Sequence, residues 1–404
     1  MPRPAPTRAP TAPDGGSETT SSAPSLSTVA REWTRIGVTG FGGPPAHIAL
    51  LRRLLVERHW LGAQEFEDAN AACGLLPGPA STQLAIYCAY RVGGPPGAIL
   101  GGLGFIAPAV ILILLLSVLF LEQSPPLWVR GAGAGAGAAV AAVALQAAWA
   151  LLGPSLARAR AGRRTERWAV YVIAAIAAAA LIGPYLVLVL LACGTVEVTL
   201  QGRAGEASPG RPATVFAPLF PAAMVSGGIG ALAWTALKVG ALSFGGGFVI
   251  IPLMQGDAVH AYHWMSNAQF LNAVALGQVT PGPVVATVAA VGYAADGVAG
   301  GLIAAVLAFT PSFLFILVGG GRFEALRTND RARAFLDGAG PAAIGAIIGA
   351  AIVLAGALQE TWQLAMLALA ALALFALRRG VVSTLLGAGA VGVALALAGV
   401  PLPR

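Results

Sequence analysis

The chain has 404 residues, of which 57% are hydrophobic and 10% charged, and its net charge is +7. Soluble domains carry about 25% charged residues, so a water-soluble globular protein is excluded. No nucleic-acid motif accompanies the basic excess, and arginine-rich cytoplasmic loops of a membrane protein account for it.

The apolar segments have the length that crosses a ~30 Å hydrocarbon core as helix, and strand-like alternation is absent. The expected fold class is an all-α polytopic membrane protein whose solvent is the lipid bilayer. Residues 1–25, rich in Pro, Thr, Ser and Ala, read as a disordered tail with no cleavable signal pattern. A half-apolar segment over 29–51 holds Gly40-Phe41-Gly42-Gly43-Pro44-Pro45, and a charged amphipathic stretch runs from Arg52 to Asp68. The next segment, 69–90, carries Leu76-Pro77-Gly78-Pro79 and closes on Tyr90-Arg91. Apolar runs follow at 97–121, 131–153, 168–182 and 185–200. A polar linker within 201–225 then separates a first half, 26–200, from a second, 226–404. Cys73, Cys88 and Cys193 have no metal-ligand spacing and read as reduced packing residues.

The order then repeats. Arg35-Ile36-Gly37 and Phe41-Gly42-Gly43 match Lys238-Val239-Gly240 and Phe244-Gly245-Gly246 at an offset of 203. Trp60, Phe66, Pro77 and Pro79 match Trp264, Phe270, Pro281 and Pro283 at an offset of 204. Arginine content reverses between equivalent loops. Arg52, Arg53 and Arg58 face a counterpart with Asp257 and two histidines, and Arg158, Arg160, Arg163, Arg164 and Arg167 face one with Glu360. Arg322, Arg327, Arg331 and Arg333 face a first-half loop with Glu122 and Arg130. Arg-rich short loops stay cytoplasmic, so the halves are expected to be inverted repeats. Inversion requires an odd number of crossings per half, yet six apolar segments are visible, so at least one is re-entrant. The Pro-Gly-Pro segment is the expected one, with the amino terminus then external. If the first Gly-Gly segment is re-entrant as well, the pair 168–200 must cross only once.

Proline removes a backbone donor and breaks a helix, and broken backbone at membrane depth survives only where protein or a polar cavity satisfies it. Paired breaks in two halves are the sequence pointer to a transporter's site. The candidate binding residues are accordingly Arg35, Phe41, Gly42, Gly43, Pro44, Pro77, Gly78, Pro79, Thr82, Gln83 and Arg91 in the first half. In the second they are Lys238, Ser243, Gly245, Gly246, Gly247, Gln278, Thr280, Pro281, Gly282 and Pro283. Glycine lets backbone approach a ligand, and the free N–H groups and positive end of a helix attract anions. One helix end contributes only roughly 0.3–1 kcal/mol, so four converging ends with hydroxyl and amide donors are needed to hold a dianion. The competing reading is that these glycines only let helices pack and these prolines only kink them. Lys238, the single lysine, lies deep in an apolar run, whereas Arg35 could mark a membrane boundary and Arg91 a positive-inside anchor. Glu57 and Asp257 are candidate proton relays or solvated loop carboxylates. His47, His260 and His263 are candidate proton groups or merely hydrogen-bonded. No side-chain cluster suggests a metal or cofactor, and no nucleophile–base set suggests an enzyme.

Phe41-Gly42-Gly43-Pro44, Leu75-Leu76-Pro77-Gly78-Pro79, Ala89-Tyr90-Arg91 and Ser243-Phe244-Gly245-Gly246-Gly247 together resemble the chromate ion transporter family. Gln278-Val279-Thr280-Pro281-Gly282-Pro283 and Phe309-Thr310-Pro311-Ser312-Phe313 resemble it too. The likeness spans about 30–400, as in the long-chain, two-domain form. It implies chromate export from the bacterial cytoplasm across the inner membrane, with sulfate or another anion as the alternative substrate. The family usually has a glutamine shortly before its first Pro-Gly-Pro, where this chain has Gly74, while the second half keeps Gln278. With the cell interior negative, a dianion moving out gains roughly 4.6 kcal/mol at 100 mV, enough for a ~10³-fold gradient. Export can therefore run on membrane potential, with proton coupling as an addition.

Overall fold

The computed structural model describes residues 24–403 apart from 75, 123, 182, 184, 185, 205–227, 244–246 and 320–328. The tail and most of the linker expected from the sequence lie outside these residues, as do Gly245, Gly246, Arg322 and Arg327.

Among the described residues every regular element is helical. The first half runs α1 (Leu26–Thr39), α2 (Pro44–Glu57), α3 (Ala63–Cys73), α4 (Ala80–Phe120), α5 (Leu127–Ala161), α6 (Thr165–Leu181) and α7 (Leu186–Ala204). The second runs α8 (Gly228–Leu242), α9 (Ile251–Gln255) with a π-helical turn over Gly256–Ala261, α10 (Asn267–Val279), α11 (Thr287–Gly319), α12 (Asp330–Gly356), α13 (Thr361–Ala371) and α14 (Val381–Leu397). Helices α4, α5, α11 and α12 are long and apolar enough to cross a membrane. The chain is a multi-pass membrane protein.

Local chemistry sets the helix ends. The Ser25 hydroxyl accepts from the Thr28 amide at the start of α1, and Ser266 with Gln269 forms a capping box on α10. Gly43, at φ 73°, turns the chain into α2, where Pro44 and Pro45 fit a first turn that needs no N–H.

Helices α4 and α11 each fold back on themselves, at Gly94 (φ 64°) and at Gly297 (φ 58°). A Cβ on Gly97 would lie 2.5 Å from the Ala89 carbonyl, and one on Gly292 would lie 2.5 Å from that of Gly300. Each is thus a short arm, 80–93 or 287–295, followed by a crossing arm. The short arm of α4 also pairs with α3: Glu65, at the start of α3, is ion-paired with Arg91. The segment therefore enters and returns, with Pro77-Gly78-Pro79 at its tip. In the second half Gly277 of α10 abuts Thr287 of α11 across Pro281-Gly282-Pro283, the same construction.

The first Gly-Gly segment is a hairpin as well. Arg58, just past α2, reaches Glu32 on α1 at 3.1 Å, and Leu26 lies beside Gly93 at the base of the neighbouring hairpin. This corrects the expectation of an amino terminus opposite the 52–58 loop; both lie on one face. Nor do α6 and α7 amount to one crossing. They run antiparallel, with the Tyr171 hydroxyl bonded to Glu197 at 2.9 Å, and Gln201 returns to Asp337 near the start of α6.

The halves run in opposite directions, although the described helices of the first half return to the face they start from, so the expected odd number of crossings is not what inverts them. A cavity at one end of the molecule is lined by Phe120, Glu122 and Arg130, where α4 ends and α5 begins, and by Ser266, Gln269 and Ala357, where α10 begins and α12 ends. At the other end Arg164, between α5 and α6, is ion-paired with Asp337 at the start of α12. Helix α5 and its counterpart α12 therefore point opposite ways. The arginine-rich loops of both halves, including Arg53, Arg58, Arg164 and Arg333, consequently share one face.

Candidate functional site

The four breaks meet at the centre. The Gly282 amide, at the second Pro-Gly-Pro tip, donates to the Gly40 carbonyl at the first Gly-Gly break, 3.0 Å away. Gly78, at the first tip, packs on Gly240 of α8, whose carbonyl would lie 3.3 Å from an added Cβ. Gly43 and Gly247 both approach Val284, where α11 begins to form. Close packing makes this meeting geometrically available. A Cβ on Gly37 would clash with the backbone of Gly104 and Phe105 on α4, and one on Gly240 would overlap the Ala308 carbonyl of α11. Each half thus presses its α1-type helix against its own crossing arm at an equivalent glycine.

Buried polar side chains beside the breaks each keep an atom without a protein partner. Thr82 and Gln83 follow the first tip, Ser243 adjoins the second Gly-Gly break and Gln278 precedes the second tip; all are at most 8% exposed. Thr82 Oγ1, Gln83 Oε1, Ser243 Oγ and Gln278 Nε2 make no hydrogen bond with the described residues. A buried unpaired polar group costs about 1–3 kcal/mol, so four beside the breaks call for an explanation. Thr280, by contrast, is satisfied locally, its hydroxyl donating to the Leu276 carbonyl at 2.9 Å.

Helix ends contribute unequally. Pro44 and Pro45 have no N–H, and the amides of Ala46 and His47 both donate to the Gly43 carbonyl. The start of α2 therefore offers a dipole but no first-turn donor. At the start of α4, Thr82 and Gln83 amides donate to the Pro79 carbonyl, leaving Ala80 and Ser81 as the two N–H groups heading the helix. Pro79, Gly78, Pro281, Gly282 and Pro283 are buried and Pro77 partly so.

Other sequence candidates sit apart. Arg91 is at the base of its hairpin, tied to Glu65 and the Tyr87 hydroxyl (3.2 Å), so it anchors the hairpin away from its tip. Arg35 has a 72% exposed side chain paired with Glu32 at 3.5 Å, the arrangement of a boundary residue. Phe41 and Gly42 are exposed at the outer side of the first break. Lys238 is largely buried, with its ammonium 2.6 Å from Asp257 Oδ2, which also accepts from the Thr235 hydroxyl at 2.9 Å. Asp257 is thus no solvated loop carboxylate; it neutralises Lys238 beside the site. Glu57 does remain at the surface, paired with Arg53.

Of the two sequence readings of His47, a proton group or a merely hydrogen-bonded side chain, the contacts match the second. His47 is fully buried, its Nε2 is 2.9 Å from the Gly40 carbonyl and its Nδ1 is 3.4 Å from Ser81 Oγ. Its ring also meets Phe105 edge-on at 5.0 Å. A neutral imidazole donating from Nε2 and accepting at Nδ1 fits both polar contacts. His47 thereby ties the first Gly-Gly break to the first turn after Pro-Gly-Pro, and through Gly40 to the second tip. Its neighbour Pro44-Pro45 was the available signal, since a polar residue two positions beyond a helix break sits on its first turn.

The sequence has relatives among known proteins. A family model described as Chromate transporter matches residues 27–198 and again 230–393, one match per half. A chromate transport protein of Cupriavidus metallidurans is 32% identical over 349 residues, covering 84% of this chain and 85% of that protein. One of Pseudomonas aeruginosa is 34% identical over 337 residues, covering 79% and 78%. No solved structure matches the chain. The doubled match falls on the same two runs of helices that supply the four breaks, and the chain belongs to the chromate transporter family.

Proposed function

We propose that this protein is a secondary transporter that exports chromate from the cytoplasm across the bacterial inner membrane. Two transporting units, 26–200 and 226–404, hold the dianion at the four breaks. The single observation that carries this reading is the set of buried donors beside the breaks that find no protein partner, Thr82 Oγ1, Ser243 Oγ and Gln278 Nε2. A tetrahedral oxyanion presents acceptors in several directions, matching hydroxyl, amide and backbone donors arriving from both halves. The arginine-rich face is the cytoplasmic one by the positive-inside rule. Membrane potential drives the dianion outward, and a proton is the candidate coupling ion.

Inside-out vesicles bearing the protein are expected to accumulate chromate when energised. Collapsing the electrical potential should abolish uptake, whereas collapsing only the pH gradient should leave most of it. Sulfate has the same charge and shape, so competition between the two anions in this assay ranks them. Vesicles that accumulate neither anion would refute the reading.

A further inference from the structure

We infer that the cavity between α1 and α2 is a receiving vestibule that collects a tetrahedral dianion from the cytoplasmic face and delivers it to the first Gly-Gly break. The inference rests on the transport reading above and adds to it a second, peripheral anion subsite built from arginines.

The cavity holds about 250 Å³ and is lined by Glu32, Arg35, Thr39, Arg53, Glu57 and Arg58, among others. Its charges are not balanced. Glu32, 5% exposed, is the one carboxylate for three guanidiniums: Arg58 at 3.1 Å, Arg35 at 3.5 Å and Arg31 at 3.6 Å. Glu57 accepts from Arg53 at 3.4 Å. In the lining, Arg35, Arg53 and Arg58 against Glu32 and Glu57 leave one positive charge, and Arg31, outside the lining but beside Glu32, adds a second next to it. The neighbouring Arg52 does not add to this, because it is paired with Glu67 at 2.9 Å.

The division of labour among these arginines fits capture followed by release. Glu32 is buried and fixes Arg58, which also lies over the Trp60 ring at 5.4 Å. Arg35 and Arg53 have side chains 72% and 74% exposed, so both can turn from their carboxylates toward an arriving anion. An anion held by exposed guanidiniums is held weakly and leaves again, as a relay station requires. Along α1 the lining runs on through Ile36 to Thr39, and the next residue is Gly40, whose carbonyl receives the Gly282 amide. The cavity therefore ends where the four breaks begin.

The opposite end of the molecule makes the contrast. Its cavity is larger, about 510 Å³, but its charged residues are one glutamate and one arginine, Glu122 and Arg130, among neutral polar groups such as Ser266, Gln269 and Asn272. A mouth with excess positive charge raises the local concentration of anions, and a neutral one does not. Positive-inside bias by itself explains arginines on this face, but it acts on insertion and predicts no effect on substrate affinity.

The test is initial-rate chromate uptake into inside-out vesicles at matched protein content, across chromate concentration and ionic strength. The double variant Arg35→Gln/Arg53→Gln should raise KM about fivefold to tenfold, change kcat less than about twofold and flatten the fall of kcat/KM with salt. Arg35→Lys/Arg53→Lys, which restores charge, should recover most of the KM. An unchanged KM and salt dependence in the glutamine pair, or lysines that fail to restore them, would overturn the vestibule. Gln278→Ala, assayed alongside, should instead lower kcat. If that variant is wild-type while the arginine pair behaves as expected, the central site is wrong and the vestibule stands.

Discussion

Each half brings one glutamine to its Pro-Gly-Pro tip, but from opposite arms of the hairpin. Gln278 lies on the incoming helix α10, where the first half has Gly74, and Gln83 lies on the outgoing helix α4, where the second half has Thr287. The amides are used differently. Gln83 Nε2 donates to the Pro77 carbonyl at 2.7 Å and leaves Oε1 unpaired, whereas in Gln278 the unpaired atom is the donor Nε2. The charged groups are exchanged in the same way. The first half keeps a buried acid on α1, Glu32, with a cation from the return strand of the hairpin; the second keeps a cation on α8, Lys238, with the acid Asp257 on its return. Duplication thus preserved the backbone breaks and let the side chains around them diverge, so two inverted hairpins offer different chemistry to one point.

The backbone, being common to both halves, should be the least forgiving part. Gly282 has φ 102°, and an added Cβ would lie 2.7 Å from that of Ala109 on the crossing arm of α4. Gly282→Val combines strain of order 1–3 kcal/mol with overpacking, and it dislocates the amide that reaches Gly40. Chromate uptake should fall below a hundredth of wild type. Gly297 is the control: it has a positive φ of 58° but nothing within 4 Å of an added Cβ. Gly297→Ala should retain most uptake, because only local strain of roughly 1–2 kcal/mol is involved. Equal losses at both glycines would mean that fold, not the meeting of the breaks, limits transport.

The exchanged charges give the next effect. Lys238→Met strands Asp257 in a largely buried place and should cost about 3–5 kcal/mol of stability. Lys238→Met with Asp257→Asn should recover most of that cost, since no charge is then left unpaired. Thermal unfolding of the purified protein measures both. The first-half equivalent, Arg35→Met, should cost under about 1 kcal/mol, because Arg35 is exposed and Glu32 keeps other partners. Additive losses in the Lys238 and Asp257 variants would show that the two residues do not act as a pair.

What could be read from the sequence follows the range over which each residue acts. Proline and glycine act on their own backbone, so all four breaks were visible in the order of the letters, and the offset near 204 exposed the repeat. Inversion was visible because arginine content is a property of whole loops. The first Gly-Gly hairpin was harder to place, since its closure depends on Arg58 reaching Glu32 across 26 residues. The same holds for the partner of Lys238, 19 residues away, and for His47, whose contact Ser81 lies 34 residues on. Arg91 misled for a related reason: closing the Pro-Gly-Pro segment in sequence puts it at the hairpin's base, far from the tip.

The smallest effect asked of the comparison is also its sharpest, because it separates two residues of one type. An amide that donates to an oxyanion is lost in Gln278→Ala, and kcat/KM should drop about tenfold to a hundredfold, the equivalent of ~1.4–2.7 kcal/mol. In Gln83→Ala the missing bond is to the Pro77 carbonyl of the same tip, and the atom removed from the centre is an acceptor, which an anion does not need. That variant should therefore stay within about threefold of wild type in kcat/KM, with the loss appearing as lower thermal stability of about 1 kcal/mol. If Gln83→Ala proves the more damaging in uptake, the donor at the first tip is the one that reads the anion. The Gln83 amide would then turn over on binding, its Nε2 leaving the Pro77 carbonyl for the substrate.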